Sequence, residues 1–250
     1  MDSETYHKIR AAEDTLWFYL GRRAIVHKLI EAFYGPLAIC RHLDIGCGSG
    51  GTLYALGGRT ALSVGTDVAR QALGYSRERG LTHLVQGDAM QLGLADGSFD
   101  LVTALDVIEH CADDDAALRE IFRLLAPGGM CCLTAPALMI LWSNLDHVNQ
   151  HFRRYSAPGL RAKARRAGFY IRKVSYANTW LFPGILGARL IQRALQTRAD
   201  GASALDFAMP FETINRLLTY VFSSESGWLA HFDLPIGSSV VAVLQRPSAA

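Results

Sequence analysis

Residues 42–50 read HLDIGCGSG, a short apolar stretch that runs directly into three glycines at alternate positions. The apolar part predicts a buried strand, and residues 51–56 predict the start of a helix. The glycines permit a turn that other residues resist, and they let a ligand approach the backbone closely. A dinucleotide fingerprint would space its glycines as G-x-G-x-x-G, whereas here Asp44 stands two residues before the first glycine. A carboxylate in that position disfavours a phosphate and favours a ligand with a positively charged end.

Strand and helix patterns alternate between residues 42 and 136. This alternation is typical of a parallel sheet with right-handed crossover connections, in which ligands bind beyond the carboxyl ends of the strands. Acidic side chains stand at or near the ends of four predicted strands: Asp44, Asp67, Asp88 and Asp106. Because those ends meet at one edge of the sheet, the four carboxylates indicate a ligand that is cationic and carries ribose hydroxyls.

The segment Asp44–Gly50 resembles the first motif of the class I S-adenosylmethionine-dependent methyltransferases, and the resemblance covers residues 42–136. It implies a Rossmann-like α/β fold, with a mostly parallel seven-stranded sheet and helices on both faces. It also implies S-adenosylmethionine as the cofactor and S-adenosylhomocysteine as the product. In this family the glycine turn holds the methionine part of the cofactor, and acids that match Asp67 and Asp88 hold the ribose and the adenine. The resemblance therefore predicts these cofactor-binding residues: Asp44, Gly46, Cys47, Gly48, Asp67, Val68, Asp88, Ala89 and Leu105.

Two of these acids also have a structural interpretation. Asp67 is placed to cap the helix predicted over residues 68–79, a role that is compatible with ribose binding. Asp88 is placed to cap a turn instead of binding adenine.

We expect one domain over residues 1–250, since half of the residues are hydrophobic and the length suffices for a single core. Residues 181–237 hold two amphipathic segments and far exceed a hairpin loop; a cap, a dimer surface and a membrane-facing patch are left open for them. The last strand is expected to lie antiparallel at the edge of the sheet, as in the family. The expected parts are an N-terminal helical lid (1–40), a Rossmann-like core (41–180), a helical insertion (181–237) and the last strand (238–246).

Methyl transfer from a sulfonium needs in-line positioning of the acceptor and often a base for its proton. The segment 142–155 resembles a loop of bacterial small-molecule methyltransferases, and it holds two candidate bases, His147 and His151. We favour His151 narrowly, with His110 as a third candidate and a surface or cap role as the alternative. The two histidines stand four residues apart beside Asp146, but no third-ligand pattern follows, so no metal site is expected.

The predicted activity is methyl transfer to a small-molecule acceptor. The acceptor atom expected is an oxygen of a ring-bearing or lipid-like secondary metabolite or envelope precursor. The alternatives are a non-catalytic S-adenosylmethionine-binding module and a nicotinamide-dependent oxidoreductase, which the glycine spacing disfavours. The predicted acceptor-binding residues are Trp17, Phe18, Arg22, Arg154, Tyr155, Tyr176 and Phe211.

Composition narrows the partners and the compartment. A formal net charge of +2 gives no global argument for nucleic acid, and the basic run over residues 161–166 is expected to be a solvated helix face. Five cysteines without a C-x-x-C pair indicate reduced thiols and a cytoplasmic protein. No apolar run approaches the roughly 20 residues of a membrane span, and no leader is recognised. Peripheral membrane contact and a homodimer are left open.

Overall fold

A computed structural model describes residues 3–195 and 211–248 of the chain. Within these ranges seven strands form one sheet. The strands are β1 (Arg41–Ile45), β2 (Leu62–Asp67), β3 (Leu84–Gln86), β4 (Phe99–Leu105), β5 (Leu125–Pro136), β6 (Tyr170–Ala177) and β7 (Ser239–Gln245). Their order across the sheet is β3-β2-β1-β4-β5-β7-β6. The pairs among β1 to β5 are parallel, and β7 is antiparallel to both of its neighbours. The Rossmann-like, mostly parallel sheet predicted from the sequence is therefore confirmed.

The position of the last strand differs from the prediction. β7 is antiparallel as expected, but it lies between β5 and β6, and β6 forms the edge. The residues from Val240 to Leu244 are all buried, which fits an interior strand covered on both faces. Tyr170 at the start of β6 is 61% exposed, as an edge position allows.

Helices cover both faces of the sheet, as predicted. They are α1 (Ser3–Ala12), α2 (Trp17–Phe33), α3 (Gly51–Gly57), α4 (Arg70–Glu78), α5 (Asp114–Leu124), α6 (Asn144–Val148), α7 (Ala157–Arg166), α8 (Phe182–Leu195) and α9 (Glu212–Leu229). Helices α2 and α9 pack on one core, and α5 and α7 pack on the other. Successive residues of β7 alternate between the two cores: Val241 joins the first, and Val240 and Ala242 join the second. The basic run on α7 is partly paired, since Lys163 lies 2.8 Å from a carboxylate oxygen of Asp114.

Helix α2 packs against helix α9 of the insertion. The backbone N–H of Trp17 in α2 donates to Asn215 in α9 at 2.9 Å, and the rings of Trp17 and Phe222 lie 6.0 Å apart. Residues 196–210 of the predicted insertion lie outside the described part of the chain. In the described ranges no helix combines the length and the apolar character that crossing a bilayer requires.

Candidate active site

The turn after β1 depends on glycine at two positions for different reasons. Gly46 has a φ of +65°, and a Cβ there would lie 2.5 Å from Cγ2 of Val107. Gly48 has a φ of +56°, but a Cβ there would meet no atom within 4 Å. Position 46 thus needs glycine for packing as well as for its backbone angle, whereas position 48 faces open space that a ligand can fill.

That space is a cavity of about 910 Å³ beyond the carboxyl ends of the parallel strands. Segments that follow the six strands β1 to β6 contribute to its wall, together with α1, α2 and α8. All nine residues predicted to bind the cofactor lie in this wall: Asp44, Gly46, Cys47, Gly48, Asp67, Val68, Asp88, Ala89 and Leu105. The sequence prediction therefore selected residues that the fold brings together.

Asp44 is a buried carboxylate at the floor of the cavity. It is 3% exposed and accepts a hydrogen bond of 2.5 Å from the hydroxyl of Thr103. Burial raises the pKa of Asp44 to about 7, because the carboxylate loses its hydration. A cationic ligand beside Asp44 would restore the charged form.

Asp67 and Asp88 lie at the ends of the next two strands. One carboxylate oxygen of Asp67 accepts from the N–H of Gly48 at 3.0 Å, and the other accepts from the N–H of Ala69 at 2.8 Å. Asp67 thus supports the entry to α4 and still lines the cavity, so both sequence interpretations are compatible with the fold. Burial raises the pKa of Asp67. Asp88 accepts from the N–H of Met90 at 2.9 Å, which is a turn-capping contact, and it too lines the cavity.

Glu13 connects the N-terminal helices to the glycine turn, and the sequence prediction missed it. Its buried carboxylate accepts from the hydroxyl of Ser49, from the N–H of Gly51 at 3.1 Å and from Arg79 at 3.0 Å. These partners stand far along the chain, and no local pattern marks Glu13 as their acceptor.

Arg22 and Asp106 form an ion pair in the cavity wall. The hydroxyl of Thr134 also donates to Asp106, at 2.9 Å. The guanidinium of Arg22 lies 5.6 Å from the ring centroid of Phe18 and 5.3 Å from that of Tyr19. Three predicted acceptor-binding residues of this region, Trp17, Phe18 and Arg22, line the cavity.

Asp146 and His151 form a hydrogen-bonded pair at the other side of the cavity. Nδ1 of His151 lies 2.9 Å from Oδ1 of Asp146, which is fully buried. Arg154 holds the same carboxylate through Nε at 2.8 Å and a terminal nitrogen at 2.9 Å. Although burial opposes ionisation, the hydrogen bonds from His151 and Arg154 hold the pKa of Asp146 well below its usual range. His151 and Arg154 line the cavity, as predicted.

His147 lies away from the Asp146–His151 pair and from the cavity. It is exposed, is not part of the cavity wall and accepts a hydrogen bond of 3.0 Å from the indole N–H of Trp142. Helix α6 ends at Val148, so His147 and His151 do not share a helix face. The chain then turns back and brings His151, and not the adjacent His147, to the carboxylate of Asp146.

Three predicted acceptor-binding residues do not line the cavity. The hydroxyl of Tyr155 is buried and donates to Asp114 at 2.8 Å. The hydroxyl of Tyr176 accepts from the N–H of Ala157 at 3.2 Å. Phe211 precedes α9 and is 85% exposed. The hydroxyls of Tyr155 and Tyr176 thus make structural contacts within the fold, and the structure does not bring these three residues to the cavity.

Glu109 and His110 complete the wall beside His151. Glu109 is fully buried, and the ring centroids of His110 and His151 lie 4.7 Å apart. Burial and the neighbouring His151 lower the pKa of His110 to about 4. Sequence reasoning considered His110 as a base but gave Glu109 no role of its own, because it treated the segment after β4 only as a cover for the methionine end of the cofactor.

The residues present fit S-adenosylmethionine. Buried acids, Asp44 above all, suit its ammonium and sulfonium charges, and the carboxylate of Asp67 can accept from ribose hydroxyls. Gly48 leaves room for close approach of the ligand to the backbone.

Comparison with known proteins agrees with this fit. Residues 43–133 match the family described as Methyltransferase domain. Methyltransferase GfsG of Streptomyces halstedii is 37% identical over 132 residues, which are 48% of this chain and 46% of that protein. The chain spans less than half of the length of the curated relatives that it matches, from 26% to 46% in three of them.

Two solved structures show the same fold. Phosphoethanolamine N-methyltransferase 2 of Haemonchus contortus, in complex with S-adenosyl-L-methionine, has a TM-score of 0.57 at 19% identity and covers 89% of this chain and 52% of its own. The [4+2]-cyclase SpnF has a TM-score of 0.59 at 22% identity and covers 91% and 82%. The fold alone therefore does not decide the reaction, whereas the family match over residues 43–133 points to methyl transfer. The match over residues 43–133 and the acids at the strand ends support a class I S-adenosylmethionine-dependent methyltransferase.

Proposed function

We propose that the chain transfers the methyl group of S-adenosylmethionine to a small-molecule acceptor, at an oxygen of a ring-bearing or lipid-like compound. One observation carries the proposal: the same cavity is lined by the acids at the strand ends and by His151, whose ring is held by the buried carboxylate of Asp146. Cofactor and acceptor would then meet without any domain movement.

The acceptor side of the cavity is aromatic and apolar. Trp17 and Phe18 come from α2, and Ile185 comes from α8. These side chains support a ring-bearing or lipid-like acceptor, because apolar walls bind apolar groups through burial. The contribution of α8 also supports a cap role for the start of the insertion.

The chemistry needs one proton acceptor. The acceptor oxygen forms a bond to the methyl carbon, the carbon–sulfur bond breaks, and S-adenosylhomocysteine leaves as a neutral thioether. The hydroxyl proton passes to His151, whose Nε2 is the nitrogen left after Asp146 has engaged Nδ1. Arg154 and Asp146 are positioning residues, since they hold the ring and its tautomer.

The proposal extends to the cellular setting. We infer a cytoplasmic protein, because the five cysteines are buried free thiols. The acceptor is a small molecule and not a nucleic acid.

Calorimetric titration tests the cofactor half of this proposal. S-adenosylmethionine should bind, and NAD should not. Asp67→Ala should weaken S-adenosylmethionine binding by about 1.5–3 kcal/mol for each hydrogen bond lost to the carboxylate. Asp113→Asn is the matched control, because Asp113 caps α5 away from the cavity and asparagine also caps helices. Unchanged affinity in folded Asp67→Ala would remove Asp67 from the site, and NAD binding would favour an oxidoreductase.

Turnover tests the acceptor half. The protein should convert S-adenosylmethionine to S-adenosylhomocysteine when it is given a metabolite extract, with one extract component gaining the mass of a methylene group in mass spectrometry. His151→Ala should lose about 10²–10⁴-fold in single-turnover rate on weakly acidic hydroxyls and less on phenols. His147→Ala should keep full activity. Cofactor binding without turnover of any component would favour the non-catalytic module.

A further inference from the structure

Glu109, His110 and His151 form a cluster of ligand-type side chains in the cavity wall. One potential ligand atom from each lies within 4.8 Å of those of the other two. All three residues line the cavity, so the cluster is open to a small ion from one side. The backbone fixes the arrangement, because the N–H of Phe152 donates to the carbonyl of Glu109 at 2.8 Å.

Glu109 supplies an independent observation that points to a ligand. Its side chain is fully buried, and among the described residues no other residue donates a hydrogen bond to either carboxylate oxygen. Buried carboxylates are normally paired or bound to a metal, because an unpaired one loses its hydration without compensation. Arg22 and Arg154 are nearby cations, but they hold Asp106 and Asp146 instead.

Both histidines have the outer contacts that metal ligands usually have. The carboxylate of Asp146 engages Nδ1 of His151, and the backbone of Asn149 interacts with the ring of His110. In metal centres a ligating histidine almost always donates its other ring N–H to a carboxylate or a backbone carbonyl, which fixes the tautomer and orients the ring.

We propose that Glu109, His110 and His151 bind one divalent cation of the first transition series at the acceptor end of the cavity. One carboxylate oxygen and two imidazole nitrogens suit Mn²⁺, Fe²⁺, Co²⁺ or Zn²⁺. Mg²⁺ suits the cluster less, because it prefers oxygen ligands. The sequence prediction of no metal site rested on the absence of a third-ligand pattern beside His147 and His151, and it did not consider Glu109 and His110 as partners of His151.

The cation changes the role of His151. Nδ1 is held by Asp146, so Nε2 either accepts a proton or binds the ion, but not both. In the loaded protein the acceptor hydroxyl would bind the cation, which would act as a Lewis acid and lower the pKa of that hydroxyl, so that its proton could pass to solvent water before the oxygen takes the methyl group. This consequence rests on the proposed function, whereas ion binding itself does not.

Titration of the full-length, chelator-treated chain with MnCl₂ tests the site, with free Mn²⁺ measured by electron paramagnetic resonance. Mn²⁺ is the probe because it binds thiols weakly, so the five cysteines do not compete. We expect one saturable site per chain in the absence of cofactor and acceptor, and weaker binding of MgCl₂ in competition.

Variants identify the ligands. Glu109→Gln keeps the shape of the side chain but removes its charge, and it should weaken Mn²⁺ binding at least tenfold. His151→Ala should do the same, and it covers the case in which a change at buried Glu109 prevents folding. His147→Ala and Asp113→Asn are matched controls that should bind Mn²⁺ as the unmodified chain does. The second control removes a carboxylate from the nearby cluster Asp113–Asp115.

Two results would overturn the site: no saturable Mn²⁺ binding, or binding that survives both Glu109→Gln and His151→Ala. Failure of the cation site is separable from failure of the proposed function. Methyl transfer that persists in chelator without Mn²⁺ binding would leave His151 as the base. Mn²⁺ binding without any methyl transfer would keep the cation site and remove the acceptor role.

Discussion

The protonation state of Asp44 is subject to two opposite influences, its burial and the charge of the ligand. Burial favours its neutral form and raises its pKa from 3.8 to about 7, whereas a cationic cofactor needs the charged form. An acid with a raised pKa binds its proton more tightly in the folded chain than in the unfolded chain. The stability that Asp44 contributes is therefore complete below about pH 4 and is lost as the pH rises towards 7.

Asp44→Asn should remove this loss. We expect the variant without cofactor to have a higher free energy of unfolding than the unmodified chain at pH 8, by up to about 1.4 kcal/mol for each unit of pKa shift. Near pH 4 the difference should be small, since Asp44 is then neutral in the folded chain and only about half ionised in the unfolded chain. Urea denaturation at the two pH values measures it. An equal gain in the free energy of unfolding at both pH values would mean that packing, and not the charge of Asp44, causes the effect.

Cofactor affinity should depend on pH in the opposite direction. Below about pH 7 the protonated Asp44 cannot attract the cationic cofactor, so the dissociation constant of S-adenosylmethionine should rise by up to tenfold for each pH unit. Calorimetry between pH 5.5 and 8.5 measures this slope, as does the number of protons released on binding. Asp44→Asn should bind weakly at every pH and show no slope. A slope that persists in the variant would assign the titration to another group.

At the scale of elements, the N-terminal helices depend on one buried acid. Glu13 receives hydrogen bonds from the glycine turn and an ion pair from Arg79, whose side chain is 10% exposed. Glu13→Gln should weaken this attachment by about 1.5–3 kcal/mol, because hydrogen bonds to a charged group lose their charge assistance. We expect faster amide exchange over residues 3–33 and faster cofactor dissociation.

Asp14→Asn is the control for that variant. Asp14 also pairs with Arg79, but its side chain is 41% exposed, so solvent screens the pair. Amide exchange over residues 3–33 in Asp14→Asn should match that of the unmodified chain. Equal acceleration in both variants would show that the charge near Arg79 matters and that the contact of Glu13 with the glycine turn does not.

The two phenylalanines of the insertion should behave differently. Phe222 is buried in α9 and packs on Trp17, Phe18 and Gly21 of α2, whereas Phe211 is 85% exposed. Phe222→Ala should destabilise the fold by about 3–5 kcal/mol and also weaken cofactor binding, because α2 lines the cavity. Phe211→Ala should be close to neutral for stability. Denaturation and cofactor titration of both variants check this, and equal effects on stability would contradict the packing described.

Elements whose signals are local could be predicted from the sequence. The strand before Gly46, the acids at strand ends and the cap residues Asp113 and Ser156 each depend on neighbours within a few positions. The position of β7 between β5 and β6 could not be predicted. Its residues alternate between the two cores, and this pattern does not tell which strands lie beside it. The pairing of Asp146 with His151 depends on where α6 ends, and helical spacing wrongly grouped His151 with His147.

For the whole molecule, the cavity wall joins parts of the chain that are distant in sequence. Tyr6 and Arg22 come from the N-terminal helices, Asp67 and Asp106 from strand ends, and His151 from the loop after α6. No periodicity relates such segments, which is why Glu13 and Glu109 escaped sequence reasoning while the glycine turn did not. A ligand that touches several of these segments should stabilise the fold as a unit.

Thermal unfolding should report that linkage. A ligand that binds only the folded chain adds about 2.7 kcal/mol at a concentration one hundred times its dissociation constant. For a chain of this size that corresponds to a rise in Tm of about 5–10 °C. S-adenosylmethionine and S-adenosylhomocysteine should both produce this rise, because we expect each to contact the glycine turn and Asp67, and NAD at the same concentration should produce none. Asp67→Ala should need a higher cofactor concentration for the same shift. A rise with NAD that equals the rise with S-adenosylmethionine would contradict the cofactor specificity that the acids around the glycine turn require.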